Sequence, residues 1–113
     1  MLAASMPVLE RRAGHLAALL REIGGLELDE AVGESYSGGG SLPETALPTR
    51  IVTIRVPDLS AGELARRLRL HRPAVVGRIS GGRFTLDVRT LRDGDLPEIA
   101  GALTSVLAEA ASA

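Results

Sequence analysis

The chain has 113 residues, enough for one domain with a core of its own. Hydrophobic residues make up 45% and charged residues 24%, a globular composition that excludes disordered and fibrous classes. A net charge of −1 excludes a global pull onto nucleic acid or membrane, and the absence of Cys excludes disulfides, thiolate catalysis and Cys-ligated zinc.

All 13 basic residues are Arg; Lys, Asn and Gln are absent. An enzyme that holds its substrate or cofactor as a Schiff base needs a Lys amine, and this chain has none. Aromatic residues are limited to Tyr36 and Phe84, so the core must be built from Leu, Val, Ile and Ala. No stretch approaches the roughly 18 consecutive apolar residues of a membrane span. Residues 1–6 are apolar but lack the basic flank of a signal peptide, so the expected compartment is the cytoplasm. The abrupt start, without a capping or linker pattern, reads as a truncated beginning.

The first predicted element is a helix over 8–23. Leu9, Leu16, Leu20 and Ile23 recur at helical spacing, with Ala13 and Leu19 beside them. Pro7 suits the first turn, and Gly24-Gly25 is a stop signal. Residues 26–36 alternate loosely and read as a strand or a pair of short strands. The dense Gly and Pro punctuation of 37–49 predicts a loop inside one domain. Residues 50–56 are the clearest strand: Val52, Ile54 and Val56 point one way, and Ile51, Thr53 and Arg55 the other.

Ser60 and Glu63 stand at capping-box spacing before a helix over 60–70, with Leu59 and Leu64 placed as a hydrophobic staple. Its inward residues are Ala61, Leu64, Ala65 and Leu68. Residues 75–88 predict a hairpin whose two-residue turn is Gly81-Gly82, since glycine supplies the positive φ such turns need. That turn pairs Ser80 with Arg83, Ile79 with Phe84, Gly77 with Leu86 and Val75 with Val88. The last three pairs form one apolar face; Arg78, Thr85, Asp87 and Val76 form the other. A last helix over 95–110 opens with Asp95 as its cap and turns Leu96, Ile99, Leu103, Val106, Leu107 and Ala110 inward. These elements predict an α+β fold, a two-layer sandwich of a small, mostly antiparallel sheet with helices on one face.

No complete catalytic constellation is present. His15 and His71 match no metal spacing, and they read as a surface residue and a helix-end cation. Arg66, Arg67, Arg69 and Arg72 form the basic cluster. As phosphate contacts they would serve RNA binding; as cations at a helix C-terminus they need no ligand, and this second reading is preferred. Gly38, Gly39, Gly40 and Ser41 could approach an anion closely, but the run does not lead into a helix as a phosphate loop does.

The run from Gly33 through Gly38-Gly39-Gly40-Ser41-Leu42-Pro43 to Leu47-Pro48-Thr49 resembles a known family. So do Leu59 to Arg69, Pro73-Ala74-Val75-Val76-Gly77-Arg78-Ile79 and Phe84-Thr85-Leu86-Asp87-Val88-Arg89-Thr90-Leu91. The family is bacterial L-seryl-tRNA(Sec) selenium transferase, and the resemblance runs from about Leu9 to Leu107. It implies the small C-terminal domain of a fold-type-I enzyme dependent on pyridoxal 5′-phosphate. Such an enzyme is a homo-oligomer that converts seryl-tRNA(Sec) to selenocysteinyl-tRNA(Sec) with selenophosphate. The cofactor Lys lies in a large domain outside this sequence, so no catalytic, cofactor-binding or metal residue carries over, and the chain is expected to be inactive alone. Arg50, Arg55, Arg78 and Arg89 are not assigned as a carboxylate clamp, because the seryl carboxyl is esterified to tRNA. Gly38 to Ser41 is the segment expected nearest the substrate. Alternatives are a stand-alone interaction or RNA-contact module, or the C-terminal domain of a related enzyme acting on a small amino acid or amino sugar.

Overall fold

The computed structural model describes residues 5–36 and 46–112. Helix α1, Met6–Ile23, starts two residues before the predicted boundary; Pro7 occupies its first turn, and Gly24, at φ 74°, ends it. Leu9, Ala13, Leu16, Ala17 and Leu20 are its buried residues, a stripe repeating every three to four positions.

Strands β1, Glu27–Tyr36, and β2, Ala46–Arg55, pair antiparallel over ten residues each, from Glu27 opposite Arg55 to Tyr36 opposite Ala46. Of the two forms expected for 26–36, the single strand is the one observed; one expectation is corrected, since residues 46–49 of the predicted loop belong to β2. Pro48 therefore lies inside a strand. It is tolerated because β4 pairs with β2 only at Ile51 to Ile54, so Pro48 has a neighbour on one side only and its missing N–H breaks no second ladder.

Helix α2, Ala61–Leu70, is capped as predicted by Ser60, whose Oγ accepts the Glu63 N–H at 3.0 Å. The reciprocal half of the capping box is absent: the Glu63 carboxylate takes hydrogen bonds from Arg66 and Arg67 instead. Leu64 and Leu68 are buried, while Ala61 and Ala65 are half-buried at the margin.

Strands β3, Arg78–Ser80, and β4, Arg83–Asp87, flank the Gly81-Gly82 turn, whose φ angles of 59° and 75° are those a two-residue hairpin loop requires. The predicted register holds for Ser80 with Arg83 and Ile79 with Phe84, and then stops after Arg78 with Thr85. The expected pairs Gly77 with Leu86 and Val75 with Val88 do not form. Val75 donates instead to the Leu68 carbonyl at 2.9 Å, and Val88 enters a short 3-10 turn, Val88–Thr90. Ile79, expected on an apolar face, is half exposed because β3 is an edge strand. Asp95, expected as a cap, is the first residue of α3, Asp95–Ser112, and its carboxylate accepts the Arg92 N–H at 2.8 Å.

The sheet order is β1-β2-β4-β3, antiparallel throughout. Helix α1 packs on β1 and β2, α2 on β4 and β3, and α3 on both helices. Val52, Ile54, Phe84 and Leu86 meet Leu9, Leu16, Leu20, Leu64, Leu68, Leu96 and Leu103 in one core, each at most 1% exposed. Every such side chain contributes about 1.5–3 kcal/mol of burial. The fold is an α+β two-layer sandwich with its helices on one face of the sheet; among the described residues no helix covers the opposite face.

Candidate functional site

Strand alternation decides what reaches the sheet face opposite the helices. Val52 and Ile54 point into the core, so Thr49, Ile51 and Thr53 point the other way. Directly paired residues share a face, which adds Ser35 opposite Leu47, Asp87 opposite Ile51, and Thr85 opposite Thr53. Ser35, Thr49 and Thr85 are the buried polar residues of the described chain, at 6%, 0% and 1% exposure, and all three lie on this face. Burial of hydroxyls away from an apolar core marks a built polar cluster, since each hydroxyl must find a partner there.

Asp87 organises the cluster. Its Oδ1 accepts the Thr49 hydroxyl at 2.6 Å and the Arg89 backbone N–H at 3.0 Å, which fixes the 3-10 turn. Its carbonyl accepts the Thr90 hydroxyl at 2.7 Å. The Thr85 hydroxyl donates to the Arg83 carbonyl at 3.2 Å. Two guanidinium groups then converge on one cross-strand pair. Arg78 Nη2 donates to the Glu34 carbonyl at 3.1 Å, and Arg89 Nη2 donates to the Pro48 carbonyl.

Between these groups lies a pocket of about 270 Å³, lined by Ser35, Val76, Gly77, Arg78, Thr85, Asp87 and Thr90. A cation, a carboxylate and three hydroxyls in one cleft can hold a polar ligand that is anionic at one end and carries hydroxyls at the other. The Thr49 hydroxyl is held by the Asp87 carboxylate, but at 0% exposure it is closed off from the cleft and is not placed to act as a nucleophile. Among the described residues no group of three His, Asp or Glu could hold a metal.

The residues singled out in the sequence fall elsewhere. Gly38, Gly39, Gly40 and Ser41 lie outside the described residues; they join strands whose closing pair, Tyr36 and Ala46, is next to Ser35. Arg66 and Arg67 both bind Glu63, at 2.7 and 2.8 Å, while Arg69 and Arg72 are exposed on the α2 end. Hydrogen bonds from Arg66 and then Arg67 pull the Glu63 pKa from its ordinary 4.5 to about 2. His71 caps α2 with its backbone N–H, which donates to the Leu68 carbonyl at 3.3 Å, its Nδ1 lies 3.2 Å from the Pro73 carbonyl, and His15 is exposed. Sequence reading placed Arg78, Thr85 and Asp87 together on the polar side of the hairpin but missed Ser35, Thr49 and Thr90. For Ser35 and Thr49 the available signal was hydroxyl residues at the strand positions that alternate with the core residues; Thr90, on the 3-10 turn, had none.

The family model described as "SelA: L-seryl-tRNA selenium transferase" matches residues 1–92. The L-seryl-tRNA(Sec) selenium transferase of Hyphomonas neptunium is 46% identical over 106 residues, 92% of this chain and 23% of that protein. Its counterpart in Aquifex aeolicus is 41% identical over 107 residues, 95% of this chain and 24% of that protein. The Geobacter metallireducens protein is 42% identical over 108 residues, 94% and 23% of the two chains. The chain thus spans about a quarter of the length of these relatives.

Proposed function

The chain belongs to the L-seryl-tRNA selenium transferase family, and from that premise we propose that it serves as the C-terminal portion of an enzyme that makes selenocysteinyl-tRNA(Sec). The substrate would be seryl-tRNA(Sec) and the selenium donor selenophosphate. The single observation that carries this reading is identity above 40% across nearly the whole chain to proteins of that name.

The residues present do not fit the family's pyridoxal 5′-phosphate. With no Lys anywhere in the chain, no covalent link to the cofactor can form here. The cofactor would be held by a large domain, and this portion alone would be inactive. Its role would be to pack against that domain within a homo-oligomer and to shape the face presented to tRNA(Sec). The reading places it in the cytoplasm; among the described residues no helix is long and apolar enough to cross a membrane.

An antibody raised against this domain tests the reading in the source cells. A band several times heavier than 11.8 kDa is the expected result. A band at 11.8 kDa would overturn it and leave a stand-alone interaction module.

A further inference from the structure

We propose that the pocket on the sheet face opposite the helices receives the phosphorylated ribose of an RNA end, with Arg78 on the phosphate and Asp87 on a sugar hydroxyl. The choice of RNA rests on the family reading; the choice of a sugar phosphate rests on the pocket.

Arg78 donates from one nitrogen to the Glu34 carbonyl, and among the described residues it forms no ion pair. A carbonyl accepts a hydrogen bond without cancelling charge. The guanidinium has five N–H donors in a planar fork, so its charge and further donors remain for an oxyanion. Both hydrogen bonds to the Asp87 carboxylate end on Oδ1, from Thr49 and the Arg89 N–H. Among the described residues Oδ2 accepts none, and the residue lines the same cleft. No ion pair joins Arg78 to Asp87, so the two charges are held apart in one pocket rather than spent on each other.

This pairing is selective. A bare inorganic anion would be drawn by Arg78 but repelled by Asp87. A sugar phosphate satisfies both, because a carboxylate oxygen takes the proton of a hydroxyl while the guanidinium takes the phosphate. Ser35, Thr85 and Thr90 add hydroxyls along the wall. The cleft, about 270 Å³, lies just below the roughly 300–1,000 Å³ of pockets that swallow drug-sized ligands, which suits one sugar phosphate with its base outside. A free amino acid carries a comparable pair of charges, but an aminoacyl group on tRNA has no free carboxylate for Arg78.

Amide shifts of the 113-residue chain, followed by NMR, test this with ribose 5-phosphate, 2-deoxyribose 5-phosphate, inorganic phosphate and L-serine. Ribose 5-phosphate is expected to give saturable shifts at Gly77, Thr85 and Thr90 and to bind tightest of the four. Arg78→Met should weaken it about tenfold, the scale of one lost charge-assisted contact. Asp87→Asn should erase its advantage over inorganic phosphate. Should Arg78→Met fail to fold, Arg78→Lys keeps the charge, loses the fork and should bind several-fold weaker. Equal binding of inorganic phosphate or serine, shifts unaffected by either Arg78 variant, or no saturable shift would each overturn the proposal. Binding is read on the chain without turnover, so its failure leaves the family reading standing, and a light band on the immunoblot leaves the binding result standing.

Discussion

Gly77 and Gly101 separate steric crowding from helix propensity with one and the same change, glycine to alanine. A Cβ at Gly77 would lie 2.6 Å from Phe84 Cζ, 2.8 Å from its Cε1 and 2.6 Å from the Thr85 carbonyl oxygen. Favourable carbon contacts lie near 3.5–4.0 Å, so the overlap is about 1 Å on two sides. Phe84 is fully buried and cannot swing away, and the Thr85 oxygen belongs to the β4 backbone. Overpacking costs about 1–3 kcal/mol, and a backbone clash places Gly77→Ala at the upper end. In a domain of this size about 1 kcal/mol moves Tm by about 4 °C, so a fall of about 8–12 °C is expected. Gly101 sits within α3, exposed, with nothing within 4 Å of its would-be Cβ. Gly101→Ala should raise stability by about 0.5–1 kcal/mol, hence Tm by about 2–4 °C. Thermal unfolding followed by circular dichroism reads both. Gly77→Ala within about 1 °C of the parent, or Gly101→Ala melting lower than the parent, would refute the packing described around Phe84 and α3.

Glu63 has a folded pKa of about 2 against an ordinary 4.5, so its contribution is complete above 4.5 and is lost as pH falls toward 2. Glu63→Gln should therefore flatten the fall of Tm across that acid window, and an unchanged slope would remove the Arg66 and Arg67 contacts as its cause. Thr49→Val deletes the 2.6 Å bond to Asp87 at a fully buried position and should cost about 1.5–3 kcal/mol in urea unfolding. A loss near zero would mean that Asp87 does not anchor the cluster. Ser60→Ala removes the cap on the Glu63 N–H and should cost about 1 kcal/mol, with hydrogen exchange faster in the first turn of α2.

Local signals were legible where one residue type has one physical use. Gly81 and Gly82 announce positive φ, and with the alternation of β4 they set the hairpin register. Ser60 announces a helix start, and the leucine stripes announce the covered face. The start of β2 was hidden because Pro48 reads as a breaker, and only the short reach of β4 alongside β2 makes it harmless. The apolar face drawn through Ile79 failed because nothing in the sequence says that β3 is three residues long and at the edge. The pocket was half visible. Strand parity puts Thr85 and Asp87 opposite the core, but Ser35 arrives from β1 and Thr90 from the 3-10 turn, brought together only by the sheet order.

A hybrid enzyme tests the central claim most directly. The corresponding segment of the Aquifex aeolicus selenium transferase, 41% identical to this chain, is replaced by these 113 residues, and conversion of seryl-tRNA(Sec) to selenocysteinyl-tRNA(Sec) is measured. Turnover within about tenfold of the parent enzyme is the predicted result, since a portion that packs and shapes without reacting should be exchangeable to within about 1.4 kcal/mol. A hybrid that folds, assembles and retains its cofactor yet makes no selenocysteinyl-tRNA(Sec) would contradict it.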